Sequence, residues 1–131
     1  MSIQQLSPPA VWQWLQSDGR VSLIDVRDPL EVRCVGAPLG AITIPYKLFP
    51  DLAVNPDFLA AVEAAFPDRS QPLCLICRTG QRSLAAAEWL ASAGYLNLTN
   101  VSEGFEGRLN DAQHRSSVEG WRFHGLPWQQ S

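Results

Sequence analysis

"LCLICRTGQRSLAAAEWL", residues 73–90, decides how this chain is read. It runs from apolar to polar and back. A strand-like stretch ends on Cys77, a short loop follows with two arginines and a glycine, and an alanine-rich helix begins. This places Cys77 at the carboxyl end of a strand and just ahead of a helix N-terminus. Ligands of open parallel sheets bind beyond the carboxyl ends of the strands. The unpaired N–H groups and positive dipole end of a helix start favour an anion. Gly80 lets the loop curl so that successive N–H groups point inward. Arg78 and Arg82 add full positive charge. All three effects favour a thiolate over a thiol and describe an activated nucleophile that holds or attacks an anion. The competing reading, a core cysteine beside solvated arginines, leaves the coincidence of thiol, glycine and paired arginines unexplained.

Outward from this stretch the chain alternates strands and helices. Ser7 caps a helix that begins with Pro8 and Pro9 and carries Val11, Trp12 and Leu15, and Asp18-Gly19 ends it. VSLIDV, residues 21–26, reads as a buried parallel strand that ends in a polar cluster. AITIP, 41–45, is a second strand after the turn-forming GAPLG. Residues 56–66 form a helix with Phe58, Leu59, Val62 and Phe66 at helical spacing and Asn55 as its cap. PLCLI, 72–76, is a third strand, and residues 83–94 are a helix with Leu84, Ala87, Leu90 and Ala91 on one face, stopped by Gly94. LTNV, 98–101, is a fourth strand. The tail from 102 mixes Gly, Trp and Pro without a period that assigns it. This alternation predicts βαβ units and an α/β fold with a mostly parallel sheet.

Residues 1–131 are expected to form a single domain, with its core in about 5–128, since 46% of the chain is apolar and 18% charged. The net charge is −3, with ten Lys and Arg against thirteen Asp and Glu, and no basic stripe. That argues against a nucleic-acid partner. MSIQQLSPPA lacks the basic start and apolar run of a signal peptide. No apolar stretch approaches the roughly 20 residues of a membrane helix. A cytoplasmic protein with no membrane partner is expected. Cys34, Cys74 and Cys77 are an odd count, which fits reduced thiols better than a disulfide framework.

CRTGQR, residues 77–82, resembles the active loop of the rhodanese-like sulfurtransferases, Cys-Arg-x-Gly-x-Arg. LIDVRDPLEV, 23–32, resembles the Asp-Val-Arg segment of that family, with Glu31 six residues after Asp25. GAPLGAITIP, 36–45, is similar to the family's GHIPGA stretch, with Ala37 where the family has a His. GFEG, 104–107, and GWRFHGLPW, 120–128, resemble the tail of some small bacterial members. The resemblance implies a rhodanese-like fold, with a mostly parallel central sheet flanked by helices on both faces. It implies a sulfurtransferase that takes sulfane sulfur from a donor such as thiosulfate, forms a Cys77 persulfide, and passes the outer sulfur to cyanide or a thiol. Cys77 is then the catalytic residue, and Arg78, Thr79, Gly80, Gln81, Arg82 and Ser83 form the substrate-binding loop. Asp25, Arg27 and Glu31 support it. The implied partners are a small anionic sulfur donor (thiosulfate or a persulfide), a thiol or cyanide acceptor, and a sulfur-accepting protein. No metal or organic cofactor is implied.

Other residues receive plainer readings. An Arg27–Glu31 ion pair is expected, with Asp25 bonding loop backbone. Cys74 is read as a buried apolar residue, because positions three apart on a strand face opposite ways. Cys34 is read as a loop thiol, passive rather than resolving a persulfide. His114 and His124 lack metal-ligand spacing and are given surface or packing roles, and Trp12, Trp89, Trp121 and Trp128 are read as packing. Two alternatives compete with sulfur transfer. One is a persulfide carrier or partner-binding module of the same family. The other is a cysteine phosphatase, whose arginine stands one residue further from the cysteine; that place is Ser83 here, and the shorter loop is too small for phosphate.

Overall fold

The computed structural model describes residues 3–130. A central sheet joins β1 (Gln4–Leu6), β2 (Ser22–Asp25), β4 (Ile42–Thr43), β7 (Leu73–Ile76) and β8 (Leu98–Val101). All its pairings are parallel, in the order β1-β8-β7-β2-β4. The helices are α1 (Pro8–Ser17), α2 (Pro29–Val35), α3 (Phe58–Ala65) and α4 (Gln81–Ser92). Two short antiparallel ladders complete the fold: β3 (Ala37–Pro38) with β9 (Trp128–Gln129), and β5 (Lys47–Leu48) with β6 (Ala53–Val54).

The three interior strands β2, β7 and β8 are buried along nearly their whole length because both sheet faces are covered. Ile24, Leu73 and Leu75 face Phe58 and Val62 of α3 and Ala87 and Leu90 of α4. Leu23, Cys74 and Ile76 face Val11 of α1 and, from the tail, Phe105 and Trp121. Helices therefore lie on both faces of a parallel sheet, as the resemblance implies. Each large apolar side chain fully buried on these faces contributes about 2 kcal/mol.

Several local expectations are corrected. β1 was not foreseen: its QQL sequence is polar and it is placed by pairing with β8. Asn55 does not cap α3; its side chain accepts from the Asp57 N–H at 3.0 Å, and the helix starts at Phe58 behind Asp57. α4 begins at Gln81 rather than 83, inside the expected loop. Cys34 is not in a loop but exposed on α2. Among the described residues no helix is long and apolar enough to cross a membrane.

Candidate active site

β7 carries the chain up to Ile76, and Cys77 follows at the top of the sheet with 1% of its surface exposed. Four residues later α4 begins, so the chain must reverse sharply. Gly80 does this at φ 101°, where a Cβ would stand 2.5 Å from the Ser102 carbonyl oxygen. Only glycine fits both the backbone angle and the gap. The Gly80 N–H then donates to Cys77 Sγ at 3.1 Å. Ser83, in the first turn of α4, places its Oγ 3.2 Å from the same sulfur.

Asn100 of β8 braces this cradle. Its Nδ2 donates to the Gly80 carbonyl and to Gln5 Oε1, both at 3.0 Å, and its Oδ1 lies 2.5 Å from Ser83 Oγ. A hydroxyl carries one proton. With a neutral thiol, Cys77 donates to Ser83 Oγ and Ser83 donates to Asn100. With a thiolate or persulfide anion, the serine proton turns to sulfur. Sequence reading missed Asn100. The signal is a carboxamide inside a strand of the sheet, which must find partners once buried; it is 2% exposed.

The GFEG turn holds the loop from outside. Phe105 N–H donates to the Cys77 carbonyl at 2.8 Å, and those of Glu106 and Gly107 donate to the Arg78 carbonyl at 3.0 and 3.1 Å. Gly104 permits the approach: a Cβ there would meet the Arg78 carbonyl at 2.5 Å. Because a peptide unit is planar and trans, drawing these carbonyls toward the turn aims the Arg78 and Thr79 N–H groups away from it.

The expected charges are all present, but their pairing differs. Arg82 makes a two-pronged bond to Glu31, at 2.9 and 2.8 Å, with side chains 15% and 10% exposed. Burial works against its charge, but the Glu31 carboxylate, with smaller help from Cys77 and Asp25, outweighs it and holds the guanidinium above its ordinary range. The Arg27–Glu31 pair is not formed. Arg27 instead grips Asp25 through Nε at 2.9 Å and Nη2 at 2.6 Å, donates to the Gly36 carbonyl at 2.7 Å, and lies 4.6 Å over the Phe105 ring. The reason is local geometry. Arg27 precedes α2, so helical i,i+4 proximity to Glu31 does not apply, whereas residues two apart on extended chain share a side. Asp25 does bond loop backbone, accepting from the Arg27 N–H at 3.2 Å.

A cavity of about 320 Å³ opens beside the loop, lined by Arg78 and Arg82, by Glu31 and Glu106, and by Phe49 and Leu52 among apolar groups. A larger groove of about 410 Å³ between Trp12, Leu39 and Ile42 has no charged residue and no cysteine in its wall. Thr79 is half-buried and Gln81 exposed, on the outer side of the loop. Cys74 packs with Trp121, on the sheet face opposite the cluster that holds Cys77, and burial pushes its thiol up to about 12. His124 pairs with Glu103 at 2.7 Å, and His114 is exposed. Trp121 is fully buried against Trp12, Trp89 packs on Phe58, and Trp128 packs on Phe105 while 40% exposed.

Comparison with known proteins agrees with this architecture. A rhodanese-like domain is matched over residues 7–111. The uncharacterized RP600 homolog of Rickettsia rickettsii is 32% identical over 130 residues, covering 98% of this chain and 99% of its own. The thiosulfate:glutathione sulfurtransferase of Saccharomyces cerevisiae is 34% identical over 96 residues, covering 72% of this chain and 66% of the yeast protein. Among solved structures, Rv0390 from M. tuberculosis superimposes with a TM-score of 0.88 at 33% identity over 100% of both chains. A polysulfide-sulfur transferase from Wolinella succinogenes shares the fold, with a TM-score of 0.70 at 22% identity over 98% of this chain and 80% of that one. This chain belongs to the rhodanese-like domain family.

Proposed function

We propose that the chain is a sulfurtransferase that carries sulfane sulfur on Cys77, taking it from a small anionic donor such as thiosulfate and giving it to a thiol or cyanide. The observation that carries the reading is the Cys77 sulfur held 3.1 Å from the Gly80 N–H, in a loop that closes within the first turn of α4. Such a cradle favours a sulfur anion. The Cys77 thiolate attacks the outer sulfur of thiosulfate. A sulfur–sulfur bond forms to Cys77, the bond to the sulfonate sulfur breaks, and its electron pair leaves with sulfite. Attack by cyanide or a thiolate on the outer sulfur then returns the electron pair to Cys77. No external oxidant or reductant enters either step.

The two loop arginines take different parts. Arg82 is committed to Glu31 and shapes the wall of the cavity. Arg78 is exposed and has no carboxylate partner among the described residues, so its charge is free to capture the donor. Reduced thiols and a single domain of residues 1–131 suit a cytoplasmic enzyme. The test is release of sulfite from thiosulfate in a single turnover. Wild-type protein should release one equivalent and Cys77→Ser none, because a hydroxyl is neither ionised nor nucleophilic enough to attack sulfane sulfur. Equal release by the two proteins refutes the reading.

A further inference from the structure

The GFEG turn, whose backbone holds the Cys77 loop, carries one charged side chain, that of Glu106. Its main chain is fixed on both sides. The Glu106 N–H donates to the Arg78 carbonyl at 3.0 Å, and the Glu106 carbonyl accepts from the Ser116 N–H at 2.7 Å. Gly120 presses on the same peptide, where a Cβ would stand 2.7 Å from the Glu106 carbonyl carbon. From this anchored position the Glu106 side chain, 13% exposed, lines the cavity beside the loop together with Arg78, Arg82 and Glu31.

A carboxylate so enclosed ordinarily ends in hydrogen bonds. Among the described residues the Glu106 carboxylate has none. The one cation within 4 Å is Arg122, at 3.7 Å, beyond hydrogen-bond distance. Arg122 is engaged elsewhere. Its Nε and Nη2 donate to Ser116 Oγ at 3.1 and 2.9 Å, its Nη1 to the Val35 carbonyl at 3.2 Å, and its guanidinium lies over Phe105 and Trp128. The charged groups around Glu106 are thus Arg122 from the tail, Arg78 and Arg82 from the loop and α4, and Glu31 from α2.

The second half of sulfur transfer needs a proton acceptor that the first half does not. Loading begins with the Cys77 thiolate and ends with sulfite, so no S–H bond has to break. Discharge to a thiol begins with an S–H group, and its proton must leave as the sulfur attacks. No histidine lines the cavity, and Glu31 is held by Arg82 through two hydrogen bonds. Glu106 is the other carboxylate on this wall.

We propose that Glu106 is the catalytic base of discharge, taking the proton of a thiol acceptor as that thiol attacks the Cys77 persulfide. The assignment rests on the sulfur-transfer reading above. The acceptor S–H bond breaks and its proton passes to the Glu106 carboxylate. The freed electron pair forms a bond to the outer sulfur, the bond from that sulfur to Cys77 breaks, and its pair stays on Cys77 as thiolate. The proton on Glu106 then returns to water through the cavity mouth.

The full chain and Glu106→Gln, with a melting curve for each, are loaded with thiosulfate and freed of excess donor. Each is then mixed with 2-mercaptoethanol, a neutral thiol, or with 2-nitro-5-thiobenzoate, already a thiolate at neutral pH. Loss of the mass of one sulfur atom gives the discharge rate. Glu106→Gln should load at least as fast as wild type, because a negative charge has left the cavity that admits the donor. Its discharge to 2-mercaptoethanol at pH 7 should be about tenfold slower, the low end for general-base catalysis since a carboxylate is a weak base toward a thiol. Its discharge to the thiobenzoate should be no slower than wild type. Equal slowing with both acceptors, or no slowing with 2-mercaptoethanol, overturns the proposal. A second measurement needs no variant. Between about pH 6 and 8 the thiolate fraction of 2-mercaptoethanol rises roughly tenfold per unit, and wild-type discharge should rise by clearly less. A wild-type rate that tracks the thiolate fraction overturns the proposal. Wild type that takes up no sulfur from thiosulfate strikes the sulfur-transfer reading and this step with it; sulfur uptake followed by discharge indifferent to Glu106 strikes this step alone.

Discussion

Arg82 and Glu31 tie α4 to α2 at the wall of the cavity beside the Cys77 loop through two short hydrogen bonds, with side chains only 15% and 10% exposed. Arg82→Ala leaves the Glu31 carboxylate largely desolvated and alone. Stripping one partner from a fully buried pair costs about 3–5 kcal/mol, and the remaining solvent access here lowers the expected loss to about 2–3 kcal/mol. Glu31→Ala strands a longer side chain that can reach water, at a cost of about 1–2 kcal/mol. The double variant removes both charges and should cost about 2 kcal/mol, well below the sum of the singles. For a domain of this size the Arg82→Ala loss corresponds to roughly 10 °C in melting temperature. Urea unfolding of the four proteins at neutral pH gives the cycle directly. Single losses that add, within about 0.5 kcal/mol, refute the pair as an energetic unit. Adding Arg78→Ala to the set tests the division of labour in the loop. At a temperature where all are folded, Arg78→Ala should slow thiosulfate loading more than Arg82→Ala does, and the reverse order contradicts the assignment of donor capture to Arg78.

Gly80→Ala should cost about 3 kcal/mol or more, from its left-handed backbone and the Cβ placed 2.5 Å from the Ser102 carbonyl, and should abolish sulfur loading; a melting curve within a degree or two of wild type would show that the loop has room to spare. Asn100→Leu keeps the volume but removes one hydrogen bond each from the Gly80 carbonyl, which keeps the Leu84 N–H, and the Ser83 hydroxyl, which keeps Cys77 Sγ, so a loss of about 1–3 kcal/mol and slower loading are expected, and unchanged stability would contradict the bracing role. Cys74, whose thiol burial raises to about 12, binds its proton more tightly folded than unfolded. Its contribution is present below the ordinary thiol value and lost as pH rises through 9 toward 12, on the order of 4 kcal/mol in all. Wild type should therefore be more stable than Cys74→Ala at pH 8, and lose that advantage by pH 12; parallel curves would show that the thiol does not titrate this way.

The parts of this molecule that were legible in the sequence are those governed by local pattern. VSLIDV, PLCLI and LTNV are short segments with apolar residues and no helical period, and they announce themselves as interior parallel strands. The thiol, glycine and arginines of the loop sit in one contiguous segment, so their chemistry reads directly. What escaped is set by tertiary partners. QQL becomes a strand because β8 offers it an open edge. Arg27 faces Asp25 rather than Glu31 because the chain there is extended, and Glu31 finds Arg82 from another helix. The GFEG segment reads as an unassignable tail, yet three of its N–H groups, those of Phe105, Glu106 and Gly107, hold the carbonyls of the Cys77 loop. The loop's shape is thus supplied by residues more than twenty positions away, which no local period reveals.

The central claim is that Cys77, alone among the three thiols, accepts sulfane sulfur. Intact-mass measurement after thiosulfate, on wild type, Cys34→Ser, Cys74→Ser and Cys77→Ser, tests it directly. The account predicts the added mass of one sulfur atom on the first three, removed by a thiol reductant, and none on Cys77→Ser. Sulfur uptake that persists in Cys77→Ser, or that disappears in Cys34→Ser, would contradict it.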